Sequence, residues 1–573
     1  MKNRLKVLTV MLLAVIFIAA NSFAYATPND INSVPDIKEK KLEPSTTLMK
    51  DIDENNNKVF DQLDTLMDAA SDTDELPVIV VFNDKMDSSK KDMLSKITGD
   101  IKVKHEFETI PGMALTLSKK QIDTLSKLDF IKQVEYDAPV HIWNDKANYW
   151  FGTQKAYTDF GVDGDRNGNP RSYSKDDIVI AVIDTGIDAK HVDLDGGKVI
   201  GWKDVVNGKT TPYDDNGHGT HCASIATGEG DGNSAYKGVA PGAALVGVKV
   251  LDSQGSGSMS DVTAGIDWAV ANKATYGIEI ISLSLGTDSS SNGQDSTSLA
   301  VNNAVNSGIV VCVAAGNSGP SRYTIGSPGA AANAITVAAM ADVGEMGFNL
   351  AYFSSRGPTA DGRTKPDIAA PGYNITAAKA NSTNGYVQYS GTSMATPFTA
   401  GTVALMLDAK PDLTPAQVKN IITTTALDWG ISGNDIDFGY GRLDGYSAIK
   451  SAGGLSGTNI TVPNHLFASE TLDARNASDL WTFNVTDTSY PISVTFIMNN
   501  WSSSSSPDFD IYLYNPSGSQ IASATSTQRQ ETLTFTPTAK GTYTLKVYSY
   551  AGTGNYSFDL SAGASGLTIT QDN

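Results

Sequence analysis

Between residues 177 and about 450 the chain alternates short Val- and Ile-rich runs, unbroken by polar residues, with longer stretches of small and apolar residues. The runs at 178–183, 245–250, 278–283, 309–315 and 335–339 lack the in-out alternation of a half-exposed strand, so they predict strands covered on both faces. Strands alternating with helices predict an α/β architecture on a parallel sheet, with ligands at the carboxyl ends of the strands.

On either side the pattern changes. Residues 78–82 predict a strand and 86–97 a helix, and 105–117 read as two strands turning at Pro111-Gly112. Ser118-Lys119-Lys120-Gln121 is a capping box opening a helix that ends near 128, and 131–140 supplies a last strand. This β-α-β-β-α-β order predicts a small split βαβ unit over 76–143. Beyond Gly453-Gly454, short alternating runs at 481–485, 492–497, 509–514, 531–535, 542–548 and 555–560 are divided by turn signals such as Asn515-Pro516-Ser517-Gly518. They predict an all-β sandwich over 457–573.

At the start, Lys2, Arg4 and Lys6 precede an apolar run at 7–20 and then Ala24-Tyr25-Ala26, the pattern of an export signal over 1–26. The run is shorter than the roughly 20 residues a spanning helix needs, and no later stretch reaches that length, so stable membrane insertion is not expected. A polar, acidic stretch over 27–75 reads as a spacer. The net charge of −20 comes with no basic stripe, which argues against nucleic acid and suits an exported protein that binds Ca²⁺ through carboxylates. Two cysteines, Cys222 and Cys312, are too few for a disulfide framework.

Three segments of the 144–453 region carry reactive side chains. Val182-Ile183-Asp184-Thr185-Gly186 ends a strand at a carboxylate, and Asn216-Gly217-His218-Gly219-Thr220-His221-Cys222 sets a histidine among glycines. Gly391-Thr392-Ser393-Met394-Ala395-Thr396-Pro397 opens a helix at a serine. Taken singly, the Asp reads as a cap or turn former and the serine as a cap, while a metal site at the two histidines is disfavoured because the acidic residue of H-E-x-x-H is missing.

Together, in this order and wording, the three blocks resemble the subtilisin-like serine proteases, and Ala314-Ala315-Gly316-Asn317-Ser318-Gly319-Pro320 supplies a fourth. The resemblance implies a three-layer fold and a secreted, extracellular endopeptidase of the Ser-His-Asp type, acting on proteins and peptides. Its triad would be Asp184, His218 and Ser393, with Asn317 as oxyanion donor. It further implies substrate binding along Gly255, Ser256, Gly257, Ser284, Leu285, Gly286 and Gly316. Gly326 would floor the S1 pocket, with a preference for large apolar P1 residues. Cys222 places the chain in the thiol-containing, proteinase K-like branch, whereas Phe398 stands where most members carry histidine. A catalytically inactive scaffold or adhesin, binding through the C-terminal sandwich, is the competing expectation.

Asp163, Asp165, Asn167 and Asn169 alternate around Gly164 and Gly168 as in calcium loops, although Ser174 replaces the closing Glu. By resemblance Asp193 is a second calcium position. A structural Ca²⁺ is therefore expected, and a plain surface turn is the alternative at the first loop. The 76–143 unit resembles the family's inhibitory pro-domain, cut off by the enzyme itself near 142–146 and then acting as an intramolecular inhibitor. The last unit resembles the pre-peptidase C-terminal domain found on secreted proteases, with Asp508 and Asp510 either as calcium ligands or as outward carboxylates on a solvated strand. A monomer is expected.

Overall fold

A computed structural model of the chain describes residues 53, 57–60, 63–64, 67, 75–99, 103–106, 111–136, 146–169, 171–501, 507–563 and 565–572. The export signal and nearly all of the expected maturation site at 142–146 lie outside these residues. Two compact units are present, one within 37–143 and one from Asn144 onward.

In the first unit, strands β1 (Glu75–Phe82), β2 (His105–Glu106), β3 (Gly112–Ser118) and β4 (Ile131–Tyr136) form an antiparallel sheet in the order β2-β3-β1-β4. The helices Ser88–Thr98 and Lys119–Leu125 complete the split βαβ pattern, and the Ser118/Gln121 capping box is formed. The core is larger than the 76–143 stretch. Val59, Leu63 and Met67, from the region read as spacer, are buried with Val78, Val80, Ile122 and Val134. Residues 58–60 also bond along β4, Phe60 N–H donating to the Val134 carbonyl and Val134 N–H to that of Lys58.

The second unit is built on seven strands: β5 (Val179–Asp184), β6 (Val199–Asp204), β7 (Ala244–Lys249), β8 (Ile278–Leu283), β9 (Val310–Ala314), β10 (Ile335–Met340) and β11 (Ile368–Pro371). They pair in parallel in the order β11-β10-β9-β8-β5-β7-β6. Every residue of β5, β7, β9 and β10 is buried, as expected for strands with helices on both faces. One face packs against the helices His218–Thr227 and Thr392–Ala409 and the other against Met259–Ala271 and Ser296–Asn306. A small hairpin of β12 (Ile375–Ala378) and β13 (Tyr386–Tyr389) follows.

The C-terminal part folds into two antiparallel sheets. Their strands are β14 (His465–Leu472), β15 (Ser478–Val485), β16 (Ile492–Met498), β17 (Asp508–Tyr514), β18 (Gln520–Ala524), β19 (Gln530–Phe535), β20 (Gly541–Ala551), β21 (Gly554–Ser561) and β22 (Ile569–Asp572). Trp481, Phe483, Phe496, Phe509, Tyr543 and Phe558 lie in the core between them. This sandwich is docked on the α/β body. The His465 ring stacks on Trp429 at 3.6 Å between centroids, and Asp559, bonded to His465, accepts the Gly430 N–H.

Candidate active site

Asp184 is the last residue of β5, at the carboxyl edge of the sheet, and the His218–Thr227 helix begins directly against it. Gly219 allows this approach, because a Cβ there would overlap the Gly186 carbonyl oxygen. Asp184 Oδ1 accepts from His218 Nδ1 at 2.7 Å and from the Thr185 N–H at 2.7 Å. The Asp184 side chain is 1% exposed and that of His218 is 18% exposed, so the pair is dry on one side and open on the other. Burial pulls the His218 imidazolium down, but the Asp184 carboxylate beside it outweighs that, and the pKa lies well above 6.5. The Cys222 sulfur beside the ring adds to that lift, while burial raises its own thiol.

The helix is held from outside. Asp214 accepts the N–H groups of Gly217 and Thr220 at 2.8 and 2.9 Å and the hydroxyls of Thr185 and Thr220 at 3.0 and 2.6 Å. One carboxylate thus caps the helix and ties it to the end of β5. Lys249, fully buried at the end of β7, donates to the carbonyls of Thr185 and Leu251 and to Asp215. Both residues escaped the sequence analysis. The signal for Asp214 was its place four residues before His218, at the foot of a helix that lacks a side-chain cap of its own.

Ser393 is the second residue of the Thr392–Ala409 helix, which is buried almost throughout. Pro397 inside that helix has no N–H to offer the carbonyl four residues back, which belongs to Ser393. Two neighbours fill the vacancy: Ser284 Oγ donates to it at 2.8 Å and Cys222 Sγ at 3.4 Å. Ser393 Oγ donates in turn to the Ser284 carbonyl at 3.2 Å. The Cys222 sulfur lies 3.9 and 4.0 Å from the two ring nitrogens of His218, so the serine and histidine segments meet across it. Phe398 is buried edge-on to Phe151, away from these groups. His221 turns aside to the Val387 carbonyl, and burial lowers its pKa to about 3, so it is neutral.

Asn317 follows β9. Its Oδ1 accepts from the Thr392 N–H at 2.9 Å and the Thr392 hydroxyl at 3.0 Å, which orients the amide and leaves its NH₂ side directed toward Gly391, beside Ser393. The Gly316 N–H donates to Thr392 Oγ1 at 3.2 Å.

Gly255, Ser256 and Gly257 lie in a turn after β7, built on Asp252, whose carboxylate accepts from Gln254 and Ser256 N–H groups. Ser284, Leu285 and Gly286 continue β8, and Thr287 N–H bonds the Ser327 carbonyl at 2.8 Å. Gly326 lies beside that segment, where a Cβ would overlap the Thr287 carbonyl oxygen.

At the calcium candidates, Asp163 Oδ1 accepts from Asp165 N–H, Asp165 Oδ1 from Gly168 N–H, and Asn167 Oδ1 from Asn169 N–H. Asn169 thus offers its backbone here, and Asp177 anchors the loop by accepting from Arg166, Asn167 and Ser174. The donor set is all oxygen, the type calcium takes. Asp193 is fully buried, and its carboxylate accepts from the Tyr386 hydroxyl and Gly232 N–H. Among the described residues, the histidine, cysteine and carboxylate groups that gather in threes, with ligand atoms within 4.8 Å of one another, are Asp184, His218 and Cys222.

Residues 175–441 match the subtilase family, 54–121 the Tk-SP N-propeptide domain and 477–549 the bacterial pre-peptidase C-terminal domain. Serine protease AprX of Bacillus subtilis (strain 168) is 44% identical over 296 residues, which are 48% of this chain and 66% of that protein. Subtilisin E of the same organism is 34% identical over 389 residues, 67% of this chain and 92% of that protein. The solved structure of sphericase is 37% identical, covering 46% of this chain and 90% of that one with a TM-score of 0.40. The chain therefore belongs to the subtilase family: it is a subtilisin-like serine protease with an N-propeptide domain and a pre-peptidase C-terminal domain.

Proposed function

We propose that the protein is a secreted endopeptidase whose nucleophile is Ser393, whose general base is His218 and whose orienting carboxylate is Asp184. The observation that carries this reading is the 2.7 Å bond between Asp184 and His218, set at the carboxyl edge of a parallel sheet beside the start of the Ser393 helix.

In this mechanism His218 Nε2 takes the Ser393 hydroxyl proton as Oγ attacks the scissile carbonyl, and returns it to the leaving amine. Asp184 keeps the Nδ1–H tautomer in place and stabilises the imidazolium. The tetrahedral oxyanion is held by the Asn317 Nδ2–H and the Ser393 backbone N–H, the latter at a helix N-terminus. The peptide lies as an extra strand between residues 255–257 and 284–286, and Gly326, whose missing side chain lets the Thr287 carbonyl approach, floors the S1 pocket that takes a large apolar P1 side chain. A structural calcium ion at Asp163, Asp165, Asn167 and Asn169, and another at Asp193, would add stability without entering the chemistry. A lower melting temperature in EDTA supports those sites, and an unchanged one removes them.

The first unit acts as an intramolecular inhibitor that the enzyme cuts off. The deciding experiment is casein hydrolysis by refolded protein with and without PMSF, alongside Ser393→Ala. Hydrolysis lost in both cases, with uncut precursor in the variant, supports the reading. Activity that survives Ser393→Ala refutes it.

A further inference from the structure

Asn317 stands in a loop, residues 316–324, that leaves the carboxyl end of β9. One side of this loop runs along residues 353–357: Ser355 N–H donates to the Gly316 carbonyl, Gly319 N–H to that of Phe353, and Thr324 N–H to that of Arg356, at 2.9, 2.7 and 2.9 Å. The loop is met elsewhere by a residue from the sandwich. Arg529, just before β19, donates Nη1 to the Pro320 carbonyl at 3.0 Å.

The same guanidinium grips Asp437 of the α/β body with both prongs, at 2.7 and 3.2 Å. The side chains of Arg529 and Asp437 are only 2% and 7% exposed. Arg356 completes the cluster. It donates to the Asp437 carbonyl and to the Gln530 side chain, while Gln530 reaches the Leu350 carbonyl at 2.7 Å. Burial works against ionised Asp437, but Arg529 and then Arg356 outweigh it and hold its carboxyl below the usual range. Without the sandwich, Asp437 would lose its one two-pronged partner, keeping only the weaker pull of Arg356 and Arg322, and Pro320 would lose the Arg529 donor. Breaking a buried ion pair by removing one partner strands the other charge.

We propose that Arg529 is a positioning residue of the peptidase, reaching from the C-terminal sandwich to fix the loop that carries Asn317. The sandwich is then a working part of the mature enzyme rather than a segment to be shed. This rests on Asn317 being the oxyanion donor. Pro320 is three residues from Asn317, so freedom at its carbonyl becomes freedom of the amide that must meet the developing charge.

The test uses the full-length matured enzyme, with active sites counted by a serine-directed fluorophosphonate. Arg529→Met and Arg529→Lys are compared with wild type on a short chromogenic peptide. The Met variant is expected to lower kcat about tenfold per titrated site, part of the roughly 10²–10³ that loss of an oxyanion donor costs, with KM within about twofold. The Lys variant, still able to reach one acceptor, recovers most of the loss. In an Asn317→Ala background Arg529→Met has little further effect, because both changes act through one donor. Equal fractional losses in both backgrounds overturn the proposal, as does a lowered melting temperature with kcat unchanged. Absence of folded protein for both variants also overturns it, by making Arg529 purely structural. Wild-type enzyme that the fluorophosphonate does not label overturns the underlying functional reading instead, and this proposal with it.

Discussion

Thr392 donates both its backbone N–H and its hydroxyl to Asn317 Oδ1, at 2.9 and 3.0 Å. The residue before Ser393, the proposed nucleophile, therefore decides which end of the amide is held and which is left free. Thr392→Val keeps the shape and removes the hydroxyl. A hydrogen bond of ~0.5–1.5 kcal/mol predicts kcat lower by about two- to tenfold, with KM nearly unchanged. Thr392→Ser should restore the rate, and steady-state kinetics on one peptide will check both.

The pH profile follows from His218, whose pKa the Asp184 carboxylate lifts well above 6.5 against the pull of burial. Only the neutral ring can take a proton, so kcat/KM should rise with pH along a limb above the ordinary imidazole range. Asp184→Asn removes the charge that lifts it. That limb should move to lower pH, while kcat falls by about 10⁴ through loss of the correct tautomer.

Cys222 is buried with its sulfur within 4.0 Å of His218 and donating to the Ser393 carbonyl. A bulky mercurial on this sulfur must push the imidazole or the serine out of place. Stoichiometric labelling should abolish activity, and Cys222→Ala should remain active and resist the reagent. Full activity in labelled wild type, confirmed by mass spectrometry, would contradict this.

Alkaline stability should depend on Glu531 in the sandwich, whose pKa burial pushes up to about 8, aided by nearby Asp510 and Asp508. The folded state keeps a proton that the unfolded chain gives up near pH 4.3, so this contribution is full below that pH. It fades as the pH rises toward about 8. In calcium-free buffer Glu531→Gln should therefore melt several degrees above wild type at pH 9 but not at pH 4, as calorimetry can show.

What the chain disclosed beforehand was what short segments encode. The 278–283 run coincides with β8, and the other anticipated strands of the sheet shift by only a residue or so at their ends. β6 was missed, because Gly201, Trp202, Lys203 and Asp204 break the Val and Ile signal of a buried strand. Val59, Leu63 and Met67 recur at helical spacing, yet acidic neighbours hid them as a spacer. The Asp184, His218, Asn317 and Ser393 blocks carry their own wording, and in the structure Asp184 bonds His218 while the His218 and Ser393 segments meet across Cys222. Arg529 carries no such wording: its partner Asp437 is 92 positions away, and nothing local separates a buried arginine from a solvated one.

The missing rung opposite Pro397 has a consequence for the order of assembly. The Ser393 carbonyl is completed by Ser284 and Cys222, which arrive from the segment just past β8 and from a helix, both more than a hundred residues upstream. A half-assembled chain therefore holds the serine without its setting, and the power to cut emerges only once distant segments have closed around it.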